Sequence, residues 1–189
     1  TRLPSHTLLL LISVLLAGCA TTSQTLPVTP RPVVTADSQR GAGRTIAIEV
    51  IDARGTTMVG LRDPNISGSA ISTPTEMLSN IQRAVEDGYA KLGFNVVAPG
   101  EQADVALEVR LTELGYARAS DGVIKNLKTG ATFEVTSILP NKTVTAVYRD
   151  GQGKDTVLQP SLSENAEILN KHVDGALAKL ISDPRLTTE

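Results

Sequence analysis

The sequence predicts an α+β domain of two layers, a mainly antiparallel sheet of about four to five strands with two helices packed on one face. Three observations carry this. Residues 105–111 alternate, with Val105, Leu107, Val109 and Leu111 set against Glu108 and Arg110, which is the period of a strand with one covered face. Residues 77–92 and 168–181 instead repeat apolar side chains every three or four positions, the period of a helix with one buried stripe. Strand, helix, several strands and helix follow in that order, an arrangement that gathers helices on one side of a sheet.

The first strand is Thr45 to Ile51, where Ile46, Ile48 and Val50 alternate with Ala47 and Glu49. Residues 52–72 read as irregular, broken by Gly55, Gly60, Pro64 and Gly68, with a short strand near Met58 to Leu61. Thr73-Pro74-Thr75-Glu76 has the form of a capping box with proline at the first helical position. The stripe Met77, Ile81, Ala84, Val85, Gly88, Tyr89 and Leu92 follows, and Gly93 supplies the stop. Phe94 to Val97 predicts a short strand and Ala103 to Leu114 a long one. Ala131 to Leu139 and Thr143 to Tyr148 form a hairpin turned by Pro140-Asn141-Lys142. Ser161-Leu162-Ser163-Glu164 is a second capping box. It opens a helix buried along Ile168, Leu169, His172, Val173, Ala176, Leu177, Leu180 and Ile181, and Asp183-Pro184 closes it.

Ahead of this domain the chain changes character. Arg2 precedes an almost wholly apolar run from Leu8 to Leu16, closed by Leu16-Ala17-Gly18-Cys19. A basic start, about ten apolar residues and a small-residue cleavage site make a secretory signal, and the run is shorter than the roughly 20 residues of a membrane span. Leu16, Ala17, Gly18 and Cys19 resemble the lipobox of bacterial lipoproteins. Residues 1–18 are therefore expected to be removed. Cys19 would then carry a diacylglycerol and an acyl chain, the two-chain condition for stable membrane attachment. Cys19 is the chain's one cysteine, so this chemistry consumes the only thiol. Ala20 stands where an aspartate favours inner-membrane retention, which predicts a periplasm-facing attachment to the outer membrane. Residues 19–43, rich in Pro, Thr and Ser and including Gly41-Ala42-Gly43, read as a disordered tether, with part of the Pro-rich stretch lying on the domain as an edge segment as the alternative. Its coil span would be about 25–30 Å. The single domain is then 44–189.

Composition excludes more than it selects. Arg2 is the only charged residue among the first eighteen. The rest of the chain therefore keeps 17 of the 18 basic and all 20 acidic residues, a net charge of −3. That balance, with no tryptophan, argues against nucleic-acid binding. His172 is the one histidine after the signal, and it lies in a helix stripe, where packing explains it. No Gly-x-Ser-x-Gly elbow or phosphate loop occurs. Glu101 with Asp104, and Glu108 with Glu113, are the acidic pairs a glycosidase would need, but Glu108 alternates like a solvent face. No catalytic residue, metal ligand or cofactor beyond the lipid is predicted. Asp52, Arg54, Arg62 and Asp63 cluster in a Gly-rich stretch and form the candidate binding loop, with salt links that pin the loop as the plainer reading.

The pieces together resemble the YajG-like family of bacterial lipoproteins. The resemblance rests on Leu16-Ala17-Gly18-Cys19, the strand into Asp52-Ala53-Arg54, and the helix ending Lys91-Leu92-Gly93-Phe94. It extends to the strand Ala103-Asp104-Val105-Ala106-Leu107-Glu108-Val109 and the final helix. It implies an outer-membrane lipoprotein with an α+β periplasmic domain and brings no catalytic residues. The expected function is a non-enzymatic envelope module whose partner is another envelope protein, a glycan or a lipid. An accessory lipoprotein of an ABC-type transport or lipid-trafficking system is the alternative, and a cell-wall hydrolase a third reading.

Overall fold

The computed structural model describes residues 22–119 and 124–188. Its strands are β1 (Gln24–Thr25), β2 (Thr45–Asp52), β3 (Met58–Leu61), β4 (Ala70–Ser72), β5 (Asn95–Val97), β6 (Val105–Arg118), β7 (Lys125–Ile138) and β8 (Thr143–Thr156). Its helices are α1 (Ser38–Gly41), α2 (Met77–Lys91) and α3 (Leu162–Ser182), with a closing 3-10 turn at Pro184–Leu186.

All eight strands join one open, mixed α/β sheet. Its spine is the antiparallel meander β6-β7-β8, three strands of 14 residues each. At about 3.3 Å per residue they run roughly 46 Å. The other edge of β6 is shared. β2 pairs it in parallel from Ile46↔Val105 to Asp52↔Leu111, and β3 continues in parallel at Gly60↔Tyr116. β5 then adds to β2 in parallel, and β4 to β3 antiparallel, with β1 parallel outside β4. The expected sheet was thus too small and too uniformly antiparallel. The polar, Gly-rich second half of β8 carries no apolar alternation, yet the ladder with β7 holds it straight to Thr156.

α2 and α3 both cover the face made by Ile46, Ile48, Val105, Leu107, Val109, Leu111, Phe133 and Val135. Past Ala47 the outer edge of β2 has no strand neighbour, and the Gln82 amide of α2 fills in. It accepts from Val50 N and donates to Ile48 O, at 2.9 and 2.8 Å. The second capping box forms with both halves present at Ser161 and Glu164. The first does not. Thr73 Oγ1 donates to Thr57 O instead, so α2 begins at Met77 with no side-chain cap.

The largest departure concerns the expected tether. From residue 22 onward the chain lies on the domain. Residues 26–34 form an extended strap along α2 and α3, with Leu26 and Val28 fully buried. Asparagines from both helices grip its backbone: Asn80 Nδ2 donates to Val28 O, and Asn170 donates to Pro27 O and accepts from Thr29 N. Arg31 N donates to Asp174. The Gly41-Gly43 stretch is not linker either. Asp37 donates to the last carbonyl of α2, at Lys91, and Gly41 and Gly43 to the carbonyls of Leu92 and Gly93 just past it. Arg40 caps α3, donating to the carbonyls of Ile181, Ser182 and Asp183. One segment satisfies the free C-terminal carbonyls of both helices, groups that must find partners when a helix end is covered. Its sequence signal is the alternation Leu26, Val28, Pro30, Pro32, Val34, which the high proline content masks. Leu16, Ala17, Gly18 and Cys19 lie outside the described residues.

Candidate functional site

The predicted binding loop resolves into two self-contained turns. Asp52 leaves the end of β2, and the Arg54 guanidinium folds back on it in a two-pronged contact of 2.8 and 2.7 Å. The Arg54 side chain is 4% exposed and also reaches Thr73 Oγ1. This pairing holds the Asp52 carboxyl below its ordinary range. Arg62, at the end of β3, is buried and donates to Thr22 O at 3.1 Å. Asp63 accepts from Asn65 N, and its carbonyl accepts from Ser69 Oγ. The four residues therefore pin the loop and the entering chain.

Of the acidic pairs, Asp104, Glu108 and Glu113 are similarly committed, while among the described residues the exposed Glu101 donates only through its backbone N to Ala98 O. Asp104 accepts from Thr45 N and Oγ1 at 2.7 and 2.8 Å, and the backbone bond chiefly depresses its pKa. Glu108 lies on the uncovered sheet face with Arg110 at 3.3 Å. Glu113 accepts from Thr132 Oγ1 across a bulge in β6.

Sequence reasoning missed a polar cluster between β8 and α3. Asp150 reaches across to His172 Nδ1 at 2.8 Å and Lys179 Nζ at 2.6 Å. Gly175 lies between them, and a Cβ there would come within 2.6 Å of the Asp150 carboxyl carbon. Partial burial pushes the Asp150 carboxyl up, but the bonds from His172 and Lys179 outweigh it and leave the pKa lowered. His172 is 1% exposed, more deeply buried than its place in the stripe suggested, and its Nε2 has no hydrogen-bond partner among the described residues. Acid-base work through Nε2 would need a group within hydrogen-bond reach.

Among the described residues, a groove of about 780 Å³ lies between the end of β8, the 157–160 connection and the first half of α3. Leu158, Pro160 and Ile168 give it apolar surface. Lys154, Lys171, Glu164 and Glu167 give it charge of both signs. The buried Gln159 Nε2 in its wall has no partner among the described residues. Neither β8's polar end nor the connection carries a periodic signal, so the groove was not legible before the fold was known.

Among the described residues no helix is long and apolar enough to cross a membrane, and no three metal-ligating side chains converge. An open mixed sheet with helices on one face, strapped by its own N-terminal segment, defines the class. The chain belongs to a bacterial lipoprotein family described as uncharacterized lipoprotein, whose model matches residues 31–189. No curated protein is similar to it in sequence. Among solved structures it resembles protein XCC0632 from Xanthomonas campestris, with 9% identity, a TM-score of 0.55, and coverage of 85% of this chain and 92% of that one. A second, described as an uncharacterized protein, shares 11% identity and a TM-score of 0.53 over 84% and 97% of the two chains. At these identities the likeness concerns the fold.

Proposed function

We propose that this lipoprotein is a non-enzymatic envelope module of the YajG-like kind. It is anchored through lipid on Cys19 to the periplasmic side of the outer membrane, and it takes an envelope ligand in the groove between β8 and α3. The groove carries this reading. It is large enough for a ligand fragment, since small-molecule sites run about 300–1,000 Å³, and it combines an apolar patch with charges of both signs. The buried His172–Asp150 contact, whose Nε2 has no partner among the described residues, supports a structural role for the one histidine of the domain. The self-paired Asp52–Arg54 turn, and the backbone bonds that hold Arg62 and Asp63, direct attention away from the 52–72 loop.

Photocrosslinking in cells tests the proposal. A crosslinker at Ile168 or Lys171 should capture a reproducible envelope component, whereas one at Thr145 on the bare sheet face should not. Equal capture at both places, or none at either, counts against the groove. The apolar Leu158 and Ile168 also favour the accessory role in lipid transport, which predicts phospholipid co-purifying with the protein and lost in Ile168→Glu.

A further inference from the structure

We infer that the domain stands end-on against the bilayer, with Ile124, Val157, Leu158 and Leu162 entering the headgroup region. The inference rests on the anchored reading above. The first support is the length of chain available. Thr22 is held at the domain surface by Arg62, and Gln24 Oε1 accepts from Asn165 Nδ2, which also donates to Pro160 O. Cys19 precedes Thr22 by three residues, and three residues span at most about 10 Å. A lipid on Cys19 therefore holds this end of the molecule against the membrane and leaves no room for it to stand off.

The second support is what that end exposes. Lys125 and Thr156 form the last rung between β7 and β8, so Ile124 and Val157 flank it side by side. Leu158 follows in the connection, and Leu162 opens α3. Their exposures are 61, 64, 82 and 46%. They make up half of the eight large apolar side chains exposed among the described residues. Scattered exposed apolar residues are ordinary, but a cluster marks an interaction surface. The charges around it, Lys125, Lys154 and Lys171 against Asp155, Glu164 and Glu167, offset one another. The attraction is therefore apolar and should persist in high salt, unlike a contact made by lysines with anionic lipid.

The opposite end of the spine, the turn at Pro140–Lys142, would stand roughly 46 Å away, the length of 14 strand residues. The test uses the full lipidated chain in vesicles of phosphatidylethanolamine and phosphatidylglycerol. Cys19 carries the lipid, so a single introduced cysteine is labelled alone with a polarity-sensitive dye. Flotation and the mass of the Cys19 peptide report the anchor, and quenching by spin-labelled lipid reports docking. A dye at Leu158→Cys should be quenched at least threefold more than one at Lys142→Cys, equally in 0.1 and about 0.5 M salt. With the dye at Asp155→Cys, adding Val157→Ser and Leu158→Ser should lower quenching at least twofold. A chain that floats while positions 158 and 142 are quenched alike overturns the docking and leaves the anchor standing. A dye at 158 shielded from water but unquenched by lipid places a protein there and also overturns it. A chain that does not float, with Cys19 unmodified, overturns both readings.

Discussion

Arg40 shows how one side chain can hold an end of the fold. Its guanidinium gathers the carbonyls of Ile181, Ser182 and the cap residue Asp183 at the end of α3, at 3.0, 3.1 and 2.5 Å, and Thr187 Oγ1 at 3.3 Å. It places positive charge where the helix dipole is negative. Hydrogen bonds involving a charged group contribute about 1.5–3 kcal/mol each when buried, and this site is partly exposed. Arg40→Met should therefore cost about 2 kcal/mol, read as a lower urea midpoint with an unchanged slope. Gly60 works by having no side chain. A Cβ there would lie 1.7 Å from Tyr116 O, where β3 meets β6. That obstacle is backbone in the adjoining strand and cannot rotate away. Gly60→Ala should cost about 2–3 kcal/mol, and a stability unchanged within about 0.5 kcal/mol would show that β3 is not fixed at this register.

At the scale of elements, the strap decides whether the domain begins near residue 44 or near residue 24. Leu26 is fully buried against the core. Leu26→Ala should therefore cost about 2–4 kcal/mol in urea unfolding, as for other buried leucines, whereas in a free tether it would cost nothing measurable. The same element shows where sequence reasoning reached its limit. β2, the core of β6, α2 and α3 were legible because their apolar periods are local. The strap, β1 and β4 are short or proline-rich, and their backbone partners lie far along the chain: Asn170 is 141 residues from Thr29. The second half of β8 has the composition of a loop and is a strand because β7 supplies the ladder. Among the binding-loop residues, Asp52 and Arg54 pair with each other, whereas Arg62 and Asp63 are bonded to the backbone at Thr22 and Asn65. The groove depends on three elements meeting, which no single segment encodes.

At the scale of the whole molecule, carboxylates join distant pieces and make stability depend on pH. Asp183, just past α3, accepts from Arg185 in the closing turn and from Tyr148 OH of β8 at 2.7 Å. The Arg185 bonds chiefly hold its carboxyl down, from 3.8 to about 2. Asp150 and Asp52 are also lowered, by His172 with Lys179 and by Arg54. A carboxyl whose folded pKa is depressed adds stability above its unfolded value, and that share disappears as pH falls through the folded value. For Asp183 the window is therefore from about pH 4 to about pH 2. Asp174 acts in the other direction. Its burial beside the strap raises its pKa, so its share improves on acidification, but it is one group against five, since the exposed Asp104 and Glu164 are lowered as well. Urea midpoints should stay level from pH 7 to about pH 5 and fall steeply between about pH 4 and 2. Asp183→Asn keeps the size of the side chain and the carbonyl bonded to Arg40 but removes the charge. It should start lower than the parent at pH 7 and lose less on acidification, so that the two curves converge towards pH 2. A gap that stays constant across that range would mean that Asp183 stabilises the corner between α3, β8 and the closing turn by shape rather than by charge.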